Sequence, residues 1–304
     1  MPEQNPLSFS PSPLLYIDHP IAENAGLRWF VKRDDLYPFG SNDPFQGNKV
    51  RKLAGLVDSL LTDEKYTNQP FISFGGAFSN HIAALAALGQ RLGIPTVGII
   101  RGEVVSNPIL QFCRSAGMDL HFVSRTKYRQ KEELAEKAYY LERYGPGILI
   151  PEGGSGAHVF PGAQQLVVEI TNQLREKPSY FQLAAGTGGT AAGCIRALIS
   201  SQTNIEVYPV LKGGWMEKAI QKQLDPYSAN NWTVIDGYHF GGYAKCPTDL
   251  LDFCQHFYQS TGILVEPIYT GKLFFGVLDR IKQGHYPAGS TLVTYHSGGM
   301  AFTS

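Results

Sequence analysis

Two segments of this 304-residue chain hold residue types whose spacing suits an anion and an amine nucleophile. In AAGTGGTAAG (184–193) a strand-like run leads into Gly186, Thr187, Gly188, Gly189 and Thr190, and then into a helical pattern. Glycines let backbone N–H groups approach a phosphate closely, a helix N-terminus adds positive potential, and the Thr187 and Thr190 hydroxyls add hydrogen bonds. A ligand-free glycine-rich turn is the plainer alternative, but it leaves the two threonines just before a helix unexplained. Gly186, Gly188 and Ala191 also satisfy the loose dinucleotide pattern, which needs an acidic residue at the end of the next strand. That strand ends at Leu211 and Lys212, which counts against a nicotinamide or flavin nucleotide.

The amine candidate is Lys49 in GNKVRKL (47–53), which follows the polar loop from Phe39 to Gln46 and precedes a helical pattern over Val50–Leu61. A cation in the first turn of a helix is disfavoured by the helix dipole, so the neutral, nucleophilic amine is favoured there. The alternative is that Lys49, Arg51 and Lys52 form an ordinary solvated face. A third segment, FGGAFSNHIAAL (74–85), ends a buried strand in Gly75 and Gly76 and opens a helix at Ser79, Asn80 and His81. Ser79 or Asn80 caps that helix, and the exposed N–H groups beside them are able to hold a carboxylate.

These segments need strands and helices to position them. From residue 71 the chain alternates apolar runs with helical patterns: FISFGG (71–76), 80–93, TVGIIRG (96–102), 108–116, DLHFVS (119–124), 131–144 and ILIPEGG (148–154). A second series follows: helix 163–174, YFQLAAG (180–186), helix 191–200, VYPVLKGG (207–214), helix 216–224, TVIDGYHF (233–240), helix 248–259, ILVEPIYTG (263–271), helix 274–283 and STLVTYHSGG (290–299). Near-continuous apolar strands separated by helices predict an α/β protein whose parallel sheets are covered on both faces, with ligands beyond the carboxyl ends of the strands.

Lys plus Arg and Asp plus Glu both total 26, so the net charge is zero and nothing in the composition gathers nucleic acid. No apolar run approaches the ~20 residues that span a bilayer, and the polar, proline-rich start MPEQNPLSFSPSP is unlike a signal peptide, so a cytoplasmic location is expected. The four cysteines share no C-x-x-C spacing and are read as reduced core residues, with no metal site expected.

Lys49 in GNKVRKL, Ser79-Asn80-His81, the Gly186 to Thr190 loop, Gly242-Tyr243, IYTGK (268–272) and HSGG (296–299), in that order, resemble the family of 1-aminocyclopropane-1-carboxylate deaminase and D-cysteine desulfhydrase. That family lies within the tryptophan-synthase-β-like fold (fold type II) of pyridoxal-phosphate enzymes, and the resemblance runs from about residue 30 to 300. It implies two open parallel-sheet domains, residues 1–54 with 161–304 and residues 55–160, with pyridoxal 5'-phosphate in the cleft between them. It implies that Lys49 carries the cofactor as a Schiff base, that Asn80 contacts the ring hydroxyl and that Gly186 to Thr190 hold the phosphate. Ser79 is then expected at the substrate carboxylate, with Asn80 and His81 beside it, and Tyr243 and Tyr269 facing the substrate. A small amino acid is the expected substrate and a homodimer the expected assembly.

Two departures bear on the reaction. The cyclopropane deaminases carry Tyr-Glu-Gly-Lys where this chain has Tyr269-Thr270-Gly271-Lys272, so the Ser297 hydroxyl becomes the expected partner of the ring nitrogen, like the threonine of the desulfhydrase branch. His81 after Ser79-Asn80 also resembles that branch. Both favour α,β-elimination from a D-amino acid, giving pyruvate, ammonia and sulfide from D-cysteine, over ring opening to 2-oxobutanoate and ammonia. A non-catalytic amino-acid or cofactor sensor on the same fold is the alternative of another class.

Overall fold

The computed structural model describes residues 9–61, 69–154 and 159–301; the first eight residues of the proline-rich start and most of the segment 154–158 lie outside the described residues. The elements are β1 (Leu14–Tyr16), α1 (Pro20–Asn24), β2 (Arg28–Arg33), α2 (Asn48–Leu61), β3 (Phe71–Gly76), α3 (Asn80–Leu92), β4 (Thr96–Arg101), α4 (Pro108–Ser115), β5 (Asp119–Val123), α5 (Arg125–Arg129), α6 (Leu134–Tyr144) and β6 (Ile148–Ile150). They continue with α7 (Val159–Leu174), β7 (Tyr180–Ala185), α8 (Gly189–Ala197), β8 (Asn204–Pro209), α9 (Met216–Leu224), β9 (Trp232–Val234), α10 (Thr248–Thr261), α11 (Thr270–Lys282) and β10 (Thr291–His296).

Two sheets organise the chain. One is four-stranded and parallel, in the order β5-β4-β3-β6. The other is six-stranded, in the order β1-β2-β10-β7-β8-β9, parallel except for β1. In β3, Phe71 packs with Ile82 and Leu85 of α3, while Ile72 and Phe74 pack on the other face with Tyr128 and Tyr140. The strand is apolar at successive positions because both faces are covered. In the larger sheet Phe181, Leu183 and Val293 meet α7, α8 and α9, and Trp29, Val31 and Leu292 meet α10 and α11. Among the described residues no helix is long and apolar enough to cross a membrane.

Several sequence expectations shift. Residues 14–16 and 28–33, ahead of the rhythm read from residue 71, supply two strands of the larger sheet. The expected strand over 233–240 stops at Val234, where Gly237 takes a left-handed φ of 104° and the Asp236 carboxylate accepts its N–H. No strand forms over 263–271. There the buried Glu266 carboxylate accepts N–H groups of Ile268, Tyr269 and Thr270 at 2.7–2.9 Å and turns the chain into α11. The helix expected over 131–144 begins at Leu134 as α6, and an additional short helix, α5, precedes it. Cys113, Cys194 and Cys254 are buried free thiols, and Cys246 is half-buried.

The solvated-face alternative for GNKVRKL is overturned: Arg51 and Lys52 are each 3% exposed. Arg51 donates to Asp34 at 2.5 and 2.8 Å and to both oxygens of Glu169 at 2.9 Å, and its guanidinium stacks 4.4 Å from the Tyr37 ring centroid. Lys32, also buried, reaches Glu169 at 2.7 Å, while Ser12 and Tyr295 donate to Asp34. Burial pushes the Asp34 carboxyl upward, but the Arg51 charge and these hydrogen bonds outweigh it and hold the group below its ordinary value. Two cations thus meet two carboxylates away from water, joining α2, α7, β2 and β10. Removing one partner of such a network strands the others, so Arg51→Met is expected to lower unfolding free energy by about 3–5 kcal/mol, read from denaturant midpoints at constant slope.

Candidate active site

The parallel strands of both sheets end around one cavity of about 370 Å³, within the ~300–1,000 Å³ span of small-molecule sites. The residues expected to touch cofactor or substrate all line it: Lys49, Ser79, Asn80, His81, Gly186, Thr187, Gly188, Gly189, Thr190, Tyr243, Tyr269 and Ser297.

β7 delivers Gly186, and Gly188 caps α8 with a left-handed φ of 81°. A side chain at Gly186 would meet the Tyr269 ring at 3.3 Å, so backbone and phenol share a wall of the cavity. The loop is tied from outside: Gln223 Nε2 donates to the Thr187 carbonyl at 2.9 Å, and Asn48 Nδ2 donates to Thr190 Oγ1 at 3.2 Å.

Lys49 is the second residue of α2, set by a close approach of backbones. Gly47 has φ 70°, and a Cβ there would lie 2.2 Å from the Ser297 carbonyl, which itself accepts the Asn48 N–H at 3.0 Å. Only glycine fits where the end of β10 crosses the start of α2. Gln46 Oε1 accepts the N–H groups of Gly299 and Met300, and a Cβ on Gly299 would lie 2.8 Å from Asn80 Nδ2. Lys49, Ser297 and Asn80 are therefore mutually positioned by three chain segments far apart in sequence.

On the other wall, Ser79 caps α3, its Oγ accepting the Ile82 N–H at 3.4 Å. His81 is 1% exposed, and its Nε2 meets Ser73 Oγ at 2.9 Å. Ser73 has one proton, which goes to the Ile150 carbonyl at 2.8 Å, so the histidine donates through Nε2 and that tautomer is fixed. Tyr243 and Tyr269 stand edge to face, their centroids 5.9 Å apart. Burial raises both phenols above their ordinary value, so they keep their protons at neutral pH and act as hydrogen-bond donors.

Lys49 is half-buried by accessible surface, and the protein packed about its amine strips away enough water to lower it from 10.5 to about 8. Lys52 is lowered further, first by burial and then by the Lys49 charge, and donates to the Gly153 carbonyl at 2.8 Å. The sequence reading missed Lys52 as a site residue, although its i+3 spacing from Lys49 places both on one face of α2. It also missed Asn48, next to Lys49 in the same motif, and Arg101 and Glu152, which carry no such signal; all three line the same cavity.

An amine of lowered basicity, a backbone cradle at a helix N-terminus, and Asn80 and Ser297 between them make a donor set that fits a phosphorylated aromatic aldehyde. The sequence profile of the pyridoxal-phosphate dependent enzymes matches residues 7–298. A putative 1-aminocyclopropane-1-carboxylate deaminase of Pyrococcus horikoshii is 27% identical over 96% of this chain and 90% of its own. A D-cysteine desulfhydrase of Klebsiella pneumoniae is 26% identical over 95% of this chain and 92% of its own. A crystal structure described as an ACC deaminase homologue superposes with a TM-score of 0.81 at 25% identity, covering 97% of this chain and 91% of that one.

Capture of pyridoxal phosphate by the cofactor-free protein requires the neutral amine. Its rate, followed by the visible absorption band, is expected to rise with pH through a midpoint of about 8, well below the 10.5 of an ordinary lysine.

Proposed function

The chain belongs to the pyridoxal-phosphate dependent enzyme family, and on that premise we propose that it is a D-cysteine desulfhydrase-like lyase of small D-amino acids. The observation that carries this reading is the convergence on one cavity of Lys49, the Gly186 to Thr190 cradle and the Ser79-Asn80 helix start. Pyridoxal phosphate, when bound, supplies an electron sink for negative charge at the substrate α-carbon.

In this reading Lys49 holds the cofactor, Gly186 to Thr190 hold its phosphate through backbone N–H groups and threonine hydroxyls, and Asn80 and Ser297 bind the ring hydroxyl and nitrogen. Ser79 and the N–H groups at the start of α3 take the substrate carboxylate, with His81 fixing that turn from behind. Lys49, once displaced by the substrate amine and with its amine lowered to about 8 so that about half is neutral at that pH, would accept the α-proton. Sulfur leaves the β-carbon with its bonding pair, and water releases ammonia to leave pyruvate. Tyr243 and Tyr269, which keep their protons, orient the substrate on the remaining wall.

Support for elimination over ring opening comes from the position after Tyr269. Thr270 is buried and its hydroxyl meets Glu266, and neither residue lines the cavity. The position after Tyr269, where the deaminases carry a carboxylate, holds this hydroxyl, and the one carboxylate among the described cavity-lining residues, Glu152, is engaged by Lys131 and the Tyr128 hydroxyl. We further propose that the two sheets mark two domains, residues 1–54 with 161–304 and residues 55–160, and that the protein works as a homodimer in the cytoplasm.

The deciding measurement is the absorption spectrum of the purified protein and of Lys49→Ala, before and after D-cysteine. A visible band that needs Lys49, with pyruvate released by the wild type alone, is expected. A band that responds only to 1-aminocyclopropane-1-carboxylate moves the reaction to ring opening, and no band after reconstitution overturns the reading.

A further inference from the structure

One cation in the cavity has no task in this chemistry. Arg101 ends β4, and in the parallel register it lies opposite Gly76 at the end of β3. Its backbone is thus one strand spacing, about 4.8 Å, from the turn that leads to Ser79. The Asn107 side chain anchors that turn by donating to the Ala77 carbonyl at 3.0 Å.

The Arg101 side chain lines the cavity together with Lys49, Ser79 and Tyr243. Among the described residues no carboxylate pairs with it; its guanidinium lies 5.7 Å from the centroid of the Tyr128 ring. Glu152, on the same wall, is engaged by Lys131 at 3.3 Å and by the Tyr128 hydroxyl at 2.7 Å. Burial raises the Tyr243 phenol, and the Arg101 charge is among the groups that oppose the rise, which sets the guanidinium within electrostatic reach of the substrate-facing tyrosine. An arginine fork facing a cavity is suited to bidentate contact with a planar or tetrahedral anion.

We propose that Arg101 is a second anion subsite, so that among substrates with a β-leaving group those whose leaving group is anionic, a sulfonate or a phosphate ester, are preferred; a β-carboxylate, which cannot leave, occupies the same subsite as a non-reacting ligand. The proposal rests on the amino-acid lyase reading above. Ser79 and the α3 N–H groups take the α-carboxylate, and Arg101, one strand away, takes the second anion.

The test is calorimetric titration of the cofactor-loaded protein with D-aspartate, which carries a β-carboxylate, and with D-alanine, which carries none. Wild type is expected to bind D-aspartate tenfold or more tightly than D-alanine, the scale of a hydrogen bond to a charged group. In Arg101→Met that ratio is expected to fall to about one, and Arg101→Lys to retain part of it. Equal affinities in wild type, or a preference that survives in Arg101→Met, overturn the subsite. Equal weakening of both ligands in the variant, with the ratio kept, also overturns it and moves Arg101 to the α-carboxylate. The affinity ratio is read from heat and does not depend on turnover, so a visible band indifferent to Lys49→Ala defeats the lyase reading without being mistaken for failure of the subsite.

Discussion

The geometry of the site depends on a buried charge network one residue away from it. Arg51 clamps α2 to Asp34 below β2 and to Glu169 on α7, and its chain neighbours on the same helix, Lys49 and Lys52, are thereby directed into the cavity. Burying two cations and two carboxylates contributes little net stability, because desolvation offsets most of the attraction. What the network supplies is a single allowed rotation of α2. A helix held only by apolar contacts tolerates small slips about its axis, whereas a guanidinium bonded to two carboxylates in separate elements does not.

The same helix sets the electrostatics of the cavity. Lys49 and Lys52 lie one turn apart; burial makes both harder to protonate, and the Lys49 charge adds to that effect at Lys52. Tyr243 and Tyr269 are shifted the opposite way and stay protonated. The cavity therefore presents an amine able to accept a proton beside phenols that hold theirs. In the proposed reading anions sit against the N-termini of α3 and α8, where the helix dipoles favour negative charge.

Glu266 illustrates how a carboxylate near a site is diverted to structure. Burial raises it to about 7, opposed by N–H groups of Thr270, Ile268 and Tyr269 that it accepts. It caps α11 and fixes the backbone of Tyr269, and so contributes to the cavity only through that tyrosine's placement. A hydroxyl at 270 is compatible with this capping role, since it bonds to the same carboxylate.

Much of the site was legible in the chain because its parts are local. The glycines and threonines at 186–190 announce a backbone cradle, the apolar run 71–76 followed by Ser79 announces a strand delivering a capped helix, and the order of the motifs pointed to the family. The strands at 71–76, 96–101 and 180–185 were readable because fully covered strands are apolar at successive positions. Residues 263–271 misled for the same reason: their apolar character serves burial, and only a carboxylate bonded to three N–H groups shows that the chain turns there. Arg51 and Lys52 read as surface charges because the partners that bury them, Asp34, Glu169 and the Gly153 carbonyl, are distant in sequence. Arg101 had no motif at all; its position in the cavity follows from the pairing of β4 with β3. Sequence by itself determined which segments come to line the cavity and most of the elements that carry them, since those depend on neighbours along the chain. Tertiary structure alone decided which charges face each other and which face the cavity, since that depends on register and on contacts between segments more than a hundred residues apart.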